Sequence, residues 1–280
     1  MTVILARYSE IGLKSPPVRR RFEHQLLGNM EEMLMEDGIE AVISHRGARI
    51  YVETERPDDA VATLRRVFGI ASLSVVEETG SSMEEICALA AEYSLSRLSP
   101  GRSFAVKARR EGSQGYSSMD VGREAGSAIF IANEDKGVKV DLTDPDTVFH
   151  VEVRDNKAYV FSDIVRCHAG LPVGSQGRVI AVADDDRGIV SAWLMMKRGC
   201  RLVISGSADW SPLRRYDVHL REGTEDKRAL AYVLGTDLDG FGSVDPQSYP
   251  LPVFFPTIGM TDEEVEGTMD VIRRGLRRPF

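Results

Sequence analysis

The order of strand-like and helix-like segments in the first eighty residues constrains the fold most strongly. Apolar residues alternate in some segments and recur every three or four positions in others, which separates strands from helices. The predicted elements are a strand at 3–8, a helix from Pro16 to Gly38, strands at 41–45 and 49–53 around a hairpin turn at 46–48, a helix from Pro57 and a strand at 73–76. The order βαββαβ predicts a ferredoxin-like fold.

Two further segments follow the first. From Ser81 to Val165, the pattern predicts a helix, a strand at 103–108, a glycine- and serine-rich loop, a helix at 119–132 and a strand pair at 148–153 and 158–161. Gly170–Gly177 is a composition break and the predicted linker. Beyond it, strands at 178–183, 201–204 and 252–255 alternate with helices at 189–197, 225–234 and 261–274, which predicts a small parallel α/β sheet.

These segments define the expected domain organisation. We predict an α+β portion followed by an α/β portion, with domains at residues 1–78 and 79–169, a linker at 170–177 and a reduced, Rossmann-like domain at 178–280. The stretches 205–224 and 235–250 are long and irregular, so ordinary elements of such a domain are missing there.

Composition limits the classes of function. With 42% hydrophobic and 28% charged residues the chain is typical of soluble globular proteins. Its apolar runs are too short to span a bilayer and it opens on a strand rather than a leader, so we expect a cytoplasmic protein without a membrane partner. A net charge of −8 excludes indiscriminate coating of nucleic acid, and any such site must be a local patch. Three widely separated cysteines give no support for a metal site.

Several motifs, in order and at matching spacing, resemble the tRNA 4-thiouridine synthetase (ThiI) family. They are Glu10–Lys14 with Arg19–Phe22, Phe104–Arg110 with Ser118–Val121, the linker Gly170–Gly177, Trp193–Cys200 and Pro256–Thr261. The similarity is continuous over about residues 1–204 and patchy beyond. The resemblance implies an N-terminal ferredoxin-like domain, a THUMP domain and a PP-loop domain that adenylates tRNA with ATP and Mg²⁺. It also implies a link to thiamine biosynthesis.

One departure from the family bears on catalysis. Where the family has a Ser-Gly-Gly-x-Asp-Ser loop that closes backbone N–H groups on ATP phosphates, this chain has Ala183, Asp184, Asp185, Asp186, Arg187 and Gly188. Both glycines and both serines are absent from their places. Each added carboxylate would repel a phosphate by about 4 kcal/mol at ~4 Å and an effective dielectric of ~20. We therefore predict a degenerate nucleotide loop that binds neither ATP nor Mg²⁺.

The sulfur-carrying cysteine of the family also lacks a counterpart, because no cysteine follows Cys200 and no rhodanese domain is recognisable. Cys200 begins a strand and is expected to be a buried, small apolar residue. We therefore assign no catalytic residue and no metal ligand.

Basic residues in the family motifs are the candidate RNA contacts. The predicted set is Lys14, Arg19, Arg20, Arg21, Lys107, Arg109, Arg110 and Tyr116. Strand alternation places Lys107 and Arg109 on one face. The arginine run could instead be an ordinary solvated helix face, and Tyr116 could pack under the loop instead of stacking on an unpaired base.

Three hypotheses follow. The favoured one is a tRNA-binding THUMP protein of the ThiI type, related to 4-thiouridine formation but inactive alone. The alternative is an ATP-dependent tRNA sulfurtransferase that works with a separate sulfur donor or partner subunit. The third is a scaffold that recruits a protein partner through its third domain and has lost RNA binding. The resemblance leaves a homodimer open.

Overall fold

The computed structural model describes residues 1–275, and the chain folds into two compact units. The first unit comprises Met1–Leu5 and Ser74–Ile164. The second unit comprises Ala6–Leu73 and the chain from Val165 onward. Two of the boundaries, after Leu5 and after Leu73, fall within strands, so the units follow spatial contacts and not the order of segments along the chain.

The N-terminal segment has the predicted βαββαβ order. Its elements are β1 (Thr2–Tyr8), α1 (Pro16–Glu36), β2 (Val42–Arg46), β3 (Arg49–Thr54), α2 (Pro57–Leu64) and β4 (Ile70–Gly80). Helix α1 buries Phe22, Leu26 and Met30 along one face, which is the helical spacing of the sequence pattern. After α1 the chain turns at Gly38, whose φ of 65° favours glycine. Strand β4 is longer than the predicted 73–76.

The β2–β3 hairpin is antiparallel, with Val42 opposite Glu53 and Arg46 opposite Arg49. The strand order in this segment is β2-β3-β1-β4. The two-residue turn between Arg46 and Arg49 places these two arginines at one end of the sheet.

The first unit is a sheet covered by two helices. Its further elements are α3 (Met83–Leu95), β5 (Ser103–Glu111), α4 (Ser118–Ala132), β6 (Lys139–Val140), β7 (Thr147–Arg154) and β8 (Lys157–Phe161), with sheet order β4-β8-β7-β5-β6. Both helices begin with capping boxes, Ser82 with Glu85 and Ser117 with Asp120. Ile86, Val121 and Phe149 belong to the core between helices and sheet.

The C-terminal segment contains the predicted parallel sheet. Its elements are β9 (Val165–Arg166), β10 (Arg178–Val182), α5 (Asp186–Lys197), β11 (Arg201–Ser205), β12 (Arg221–Glu222), β13 (Ala229–Leu234), α6 (Leu238–Phe241), β14 (Val253–Phe254) and α7 (Asp262–Arg274). The strand order is β12-β11-β10-β13-β14 with all pairs parallel, while β9 pairs with β4. Helices α5 and α7 contribute Trp193, Met196 and Met269 to the core on one face.

One predicted element is wrong. The helix expected over 225–234 is the strand β13, which pairs with the central strand β10. Ala229, Ala231 and Val233 are buried while Leu230 is 61% exposed, so burial alternates with the period of a strand. Alanine and leucine favour helices intrinsically, but pairing with β10 overrides that preference.

The predicted linker at 170–177 is ordered and partly buried. Leu171 donates its N–H to the carbonyl of Lys197 at 2.9 Å, and Val173 is only 2% exposed within the core of the C-terminal segment. Gly170 has a φ of 82°, and a Cβ there would lie 2.3 Å from the carbonyl oxygen of Lys197. The linker is therefore fixed to the end of α5.

Four aromatic rings join the N-terminal and C-terminal segments inside the second unit. Phe68 lies 5.8 Å from His168, 5.3 Å from Trp193 and 5.5 Å from Tyr216, measured between ring centroids. Phe68 is 1% exposed and belongs to the core of the C-terminal segment. We call Phe68, His168, Trp193 and Tyr216 the aromatic junction.

Among residues 1–275, no helix is both long and apolar enough to cross a membrane. Within the same range, no three His, Cys, Asp or Glu side chains are grouped so as to hold a metal ion.

Candidate nucleic-acid interface and nucleotide loop

Strand β5 presents two cations on one face. Lys107 and Arg109 are exposed, whereas Val106 and Ala108 between them pack against the helix-covered core. In the part of the chain that the structure describes, neither cation forms an ion pair. Lys107 is opposite His150 and Arg109 is opposite Glu152 in the register with β7. Two charges that the fold does not neutralise are available to an anionic ligand.

Arg110 has a different environment from its neighbours. Its guanidinium donates to the carbonyl of Gly112 at 2.6 Å and to the side-chain oxygen of Gln114 at 3.3 Å. Gln114 in turn donates to the carbonyl of Asp155. Arg110 therefore shapes the loop after β5.

Tyr116 packs beneath that loop. Its hydroxyl donates to the carbonyl of Ser81, and its ring contacts the core of the first unit. Burial raises the pKa of Tyr116. The structure thus gives Tyr116 the packing role that the sequence left open beside base stacking.

The second unit carries a further set of cations at the start of α1. Lys14, Arg20 and Arg21 are exposed, and Arg21 lies 5.3 Å from the centre of the Phe22 ring. Arg19 is half-buried and donates to the carbonyl of Gly12 at 2.6 Å. This bond fixes the loop before α1 against the first turn of the helix.

The loop at 183–188 connects β10 to α5 at the carboxyl end of the parallel sheet, where ligands of open α/β sheets bind. Asp185 caps α5 and accepts the N–H of Gly188 at 2.7 Å. Asp184 accepts the N–H of Ser207 at 3.0 Å. The carboxylate of Asp185 therefore takes a backbone N–H group at the start of this helix, whereas that of Asp184 takes one from the loop after β11.

Arg187 ties the same loop to the segment before α7. Its guanidinium donates to the carbonyls of Thr257 and Met260 at 3.1 and 3.0 Å, and it pairs with Asp262 at 2.6 Å. The Arg187 side chain is only 10% exposed. The sequence offered no sign of these contacts, because the partners are 70 or more residues away.

Two glycines bring the end of β13 against the first turn of α5. A Cβ on Gly235 would lie 2.2 Å from the backbone nitrogen of Gly188, and a Cβ on Gly188 would lie 2.8 Å from the Cα of Ala183. Neither position tolerates a side chain without backbone movement. The loop is therefore closely packed on both sides.

A shallow pocket of about 330 Å³ lies beside Arg187. Three carboxylates, those of Asp237, Asp239 and Asp262, line it together with the 258–261 segment. An acidic lining disfavours a polyphosphate.

The three cysteines are reduced. Cys200 is 6% exposed just before β11, and burial raises the pKa of its thiol. Burial, followed by the charge of Glu124, raises the pKa of Cys87, and Cys167 is buried. Raised pKa values reduce the thiolate fraction on which nucleophilic sulfur chemistry depends.

Comparison with known proteins gives two domain assignments. Residues 3–74 match the ThiI ferredoxin-like domain and residues 80–163 match the THUMP domain. A "Probable tRNA sulfurtransferase" of Methanosarcina mazei is 37% identical over 205 residues, which is 72% of this chain and 50% of that relative. One of the same name from Aeropyrum pernix is 40% identical over 203 residues, covering 70% of this chain and 50% of the relative. The chain thus spans about half the length of the curated relatives it matches.

Solved structures share the whole architecture. The crystal structure of PH1313 from Pyrococcus horikoshii matches with a TM-score of 0.82 and 26% identity, over 99% of this chain and 100% of that one. The fold is also that of a 4-thiouridine synthetase solved as an RNA complex with bound ATP, with a TM-score of 0.78, 22% identity, and coverage of 98% and 85%.

Fold and domain matches define a THUMP-domain protein with a ferredoxin-like domain ahead of it and a parallel α/β segment behind it. The two matched domains, in the predicted order, confirm the resemblance seen in the sequence. The chain belongs to the ThiI family.

Proposed function

We propose that this chain is a tRNA-binding protein related to 4-thiouridine formation, and that it does not carry out the thiolation alone. The observation that carries the RNA-binding part is the pair of exposed cations on β5, Lys107 and Arg109, which lies within the THUMP domain. The names of the curated relatives support tRNA as the RNA.

Binding at such a site rests mainly on phosphate. Each phosphate contact releases counterions and contributes about 0.9 to the magnitude of the slope of log K against log salt on a duplex. One contact therefore changes the affinity roughly eightfold for each tenfold change in salt concentration. Arg110 and Tyr116 act indirectly in this proposal, by holding the loop at 112–116. Lys107 and Arg109 make the contacts.

The test is a filter-binding titration of unmodified tRNA at several salt concentrations. Lys107→Gln with Arg109→Gln should weaken binding roughly tenfold or more and flatten the salt dependence. Arg123→Gln is the matched control, because Arg123 lies on α4 of the same unit with its side chain 71% exposed. Equal affinities for the double variant and the wild type would reject the site.

We infer that ATP does not fit the loop at 183–188. A phosphate at a helix N-terminus needs free backbone N–H groups, but the carboxylate of Asp185 already accepts the N–H of Gly188 in the first turn of α5. The carboxylate of Asp184 adds a second negative charge beside it. The guanidinium of Arg187 is already bonded to the carbonyls of Thr257 and Met260 and to the carboxylate of Asp262. In this proposal the loop acts as a structural turn between β10 and α5, and the protein uses neither ATP nor Mg²⁺.

The sulfur-transfer step is likewise unsupported by the cysteines. The Cys200 thiol is buried with a raised pKa, opposite to what a sulfur carrier requires. No residue of this chain is assigned a role in such a step.

The second candidate function, a tRNA sulfurtransferase that uses a separate sulfur donor, is favoured by the names of the relatives. Release of pyrophosphate from labelled ATP separates the two. We expect no release above background with unmodified tRNA present. Release that depends on tRNA and disappears in an Asp185→Arg variant would establish the enzyme instead.

The remaining features of the proposal are untested expectations from the sequence and from the family resemblance. A protein partner for the C-terminal segment, a homodimer, a cytoplasmic location and the connection to thiamine biosynthesis stay predictions.

A further inference from the structure

Strand β2 is a free edge of the sheet in the ferredoxin-like domain. It pairs with β3 on one side, and no described strand pairs with its other side. The other strands that terminate the two described sheets, β6, β12 and β14, have two residues each, whereas β2 has five. An antiparallel strand directs the N–H and C=O groups of alternate residues away from its partner. Among residues 1–275, β2 is therefore the sheet edge that offers most backbone groups to an added strand.

The features that usually prevent pairing at a sheet edge are missing from β2. Edge strands are commonly protected by a proline, a β-bulge or a charged side chain within the strand. The sequence of β2 contains no proline, and its register with β3 runs from Val42 to Arg46 without a bulge. Its arginine is the last residue, and Val42 at its start is 56% exposed. An unprotected edge of this kind is either covered by a partner or prone to aggregation.

A groove between α1 and this edge supplies an apolar surface for the side chains of an added strand. Its volume is about 350 Å³. The apolar side chains that line it come from α1, the segment after it and β2, and include Leu34, Met35, Ile39 and Ile43. Met35 is 76% exposed, and a flexible thioether adapts well to apolar partners. Because side chains alternate along a strand, one added to β2 would direct every second side chain into this groove.

The rim of the groove is acidic. Glu31 and Glu40 line it and are exposed. In the part of the chain that the structure describes, neither carboxylate forms an ion pair, whereas those of the neighbours Glu32 and Asp37 do. Two uncompensated negative charges repel the phosphates of RNA and favour a partner with lysine or arginine side chains.

We propose that β2 and the groove beside it bind an extended segment of another protein, in which every second residue is apolar and lysine or arginine flanks the apolar residues. The segment adds to β2 as a further strand. Backbone hydrogen bonds to β2 supply affinity, and the groove with its acidic rim supplies selectivity. The inference goes beyond the proposed RNA binding and does not depend on it, because neither Lys107 nor Arg109 takes part.

The test begins with a library of short random peptides displayed on phage and selected on the full chain. The selected sequences should alternate apolar residues and carry lysine or arginine beside them. A synthetic, fluorescently labelled copy of one of them is then titrated with the protein and followed by anisotropy. Met35→Glu should bind it roughly tenfold more weakly or worse, because a carboxylate enters the apolar groove. Glu31→Gln with Glu40→Gln should bind it about three- to tenfold more weakly, as expected for two exposed ion pairs.

Two variants serve as matched controls. Met119→Glu adds the same charge at a methionine of the first unit that is 83% exposed, and Glu36→Gln removes an exposed carboxylate of α1 that does not line the groove. Both should bind the peptide as the wild type does. Met35 and Glu31 are exposed, so thermal melting of their variants should match the wild type and show that weaker binding is not caused by unfolding.

The remaining outcomes decide against the proposal. Selection of acidic peptides or of none would overturn it, and so would equal affinities of the wild type and Met35→Glu for the selected peptide. Unchanged hydrogen exchange of the 42–46 amides on peptide binding would contradict an added strand. A dimer in sedimentation experiments that Met35→Glu dissociates would show that a second copy of the chain, and not another protein, occupies the groove.

Discussion

Arg187 provides the sharpest test of the idea that the nucleotide loop has become a structural element. Replacing it with methionine keeps most of the aliphatic volume and removes the guanidinium. The carbonyls of Thr257 and Met260 then lose donors at 3.1 and 3.0 Å, and Thr257 is fully buried. A hydrogen bond to a charged group contributes about 1.5–3 kcal/mol. After partial relaxation of the loop, we expect Arg187→Met to lower the free energy of unfolding by about 2–4 kcal/mol.

Tryptophan fluorescence measures this change selectively. The two tryptophans, Trp193 and Trp210, both lie in the C-terminal segment, and Trp193 is 5% exposed in the aromatic junction. Urea unfolding followed by their emission therefore reports on the segment that Arg187 holds together. The expected result is a lower midpoint for Arg187→Met with a similar slope.

Asp262→Asn is the control, because its carboxylate is 98% exposed and a solvated ion pair stabilises little. We expect its midpoint to stay near that of the wild type. A free energy of unfolding for Arg187→Met within about 0.5 kcal/mol of the wild-type value would refute this prediction, because ordinary surface variants lie in that range. Equal destabilisation by Asp262→Asn would refute it as well.

Two further predictions concern the same segment. Gly235→Ala should destabilise it strongly because the new Cβ would lie 2.2 Å from the nitrogen of Gly188, whereas Gly242→Ala, with no atom within 4 Å, should melt like the wild type. Burial raises the pKa of Tyr216 to about 12, so the folded state favours the neutral phenol. Its contribution to the free energy of unfolding is fully present below the unfolded-state pKa of about 10 and is lost as pH rises toward 12. Tyr216→Phe should therefore reduce the decline in the urea midpoint over that pH interval.

The fold could be predicted from the sequence wherever local signals agreed. The prolines that open α1 and α2 coincide with the observed helix starts. Strand β13 could not be predicted, because its alanines and leucines favour a helix and its conformation depends on pairing with β10, some fifty residues earlier. Long-range pairing of that kind leaves no trace in a local pattern.

The part of the candidate site that depends on local alternation could be predicted from the sequence, and the part that depends on contacts between elements could not. Alternation along β5 placed Lys107 and Arg109 on one face, as the structure has them. The local pattern did not indicate that Arg110 donates to the carbonyl of Gly112, or that Asp185 caps α5 four residues before the predicted start of that helix.

The aromatic junction makes the ferredoxin-like domain depend on the C-terminal segment for the burial of one of its own side chains. Phe68 belongs to the ferredoxin-like domain, yet its side chain is buried among His168, Trp193 and Tyr216. A chain cut after Gly177 would uncover this ring, and we expect it to aggregate where the full chain stays in solution. Trp193 and Tyr216 therefore have a structural role in covering Phe68 that does not depend on any nucleotide chemistry.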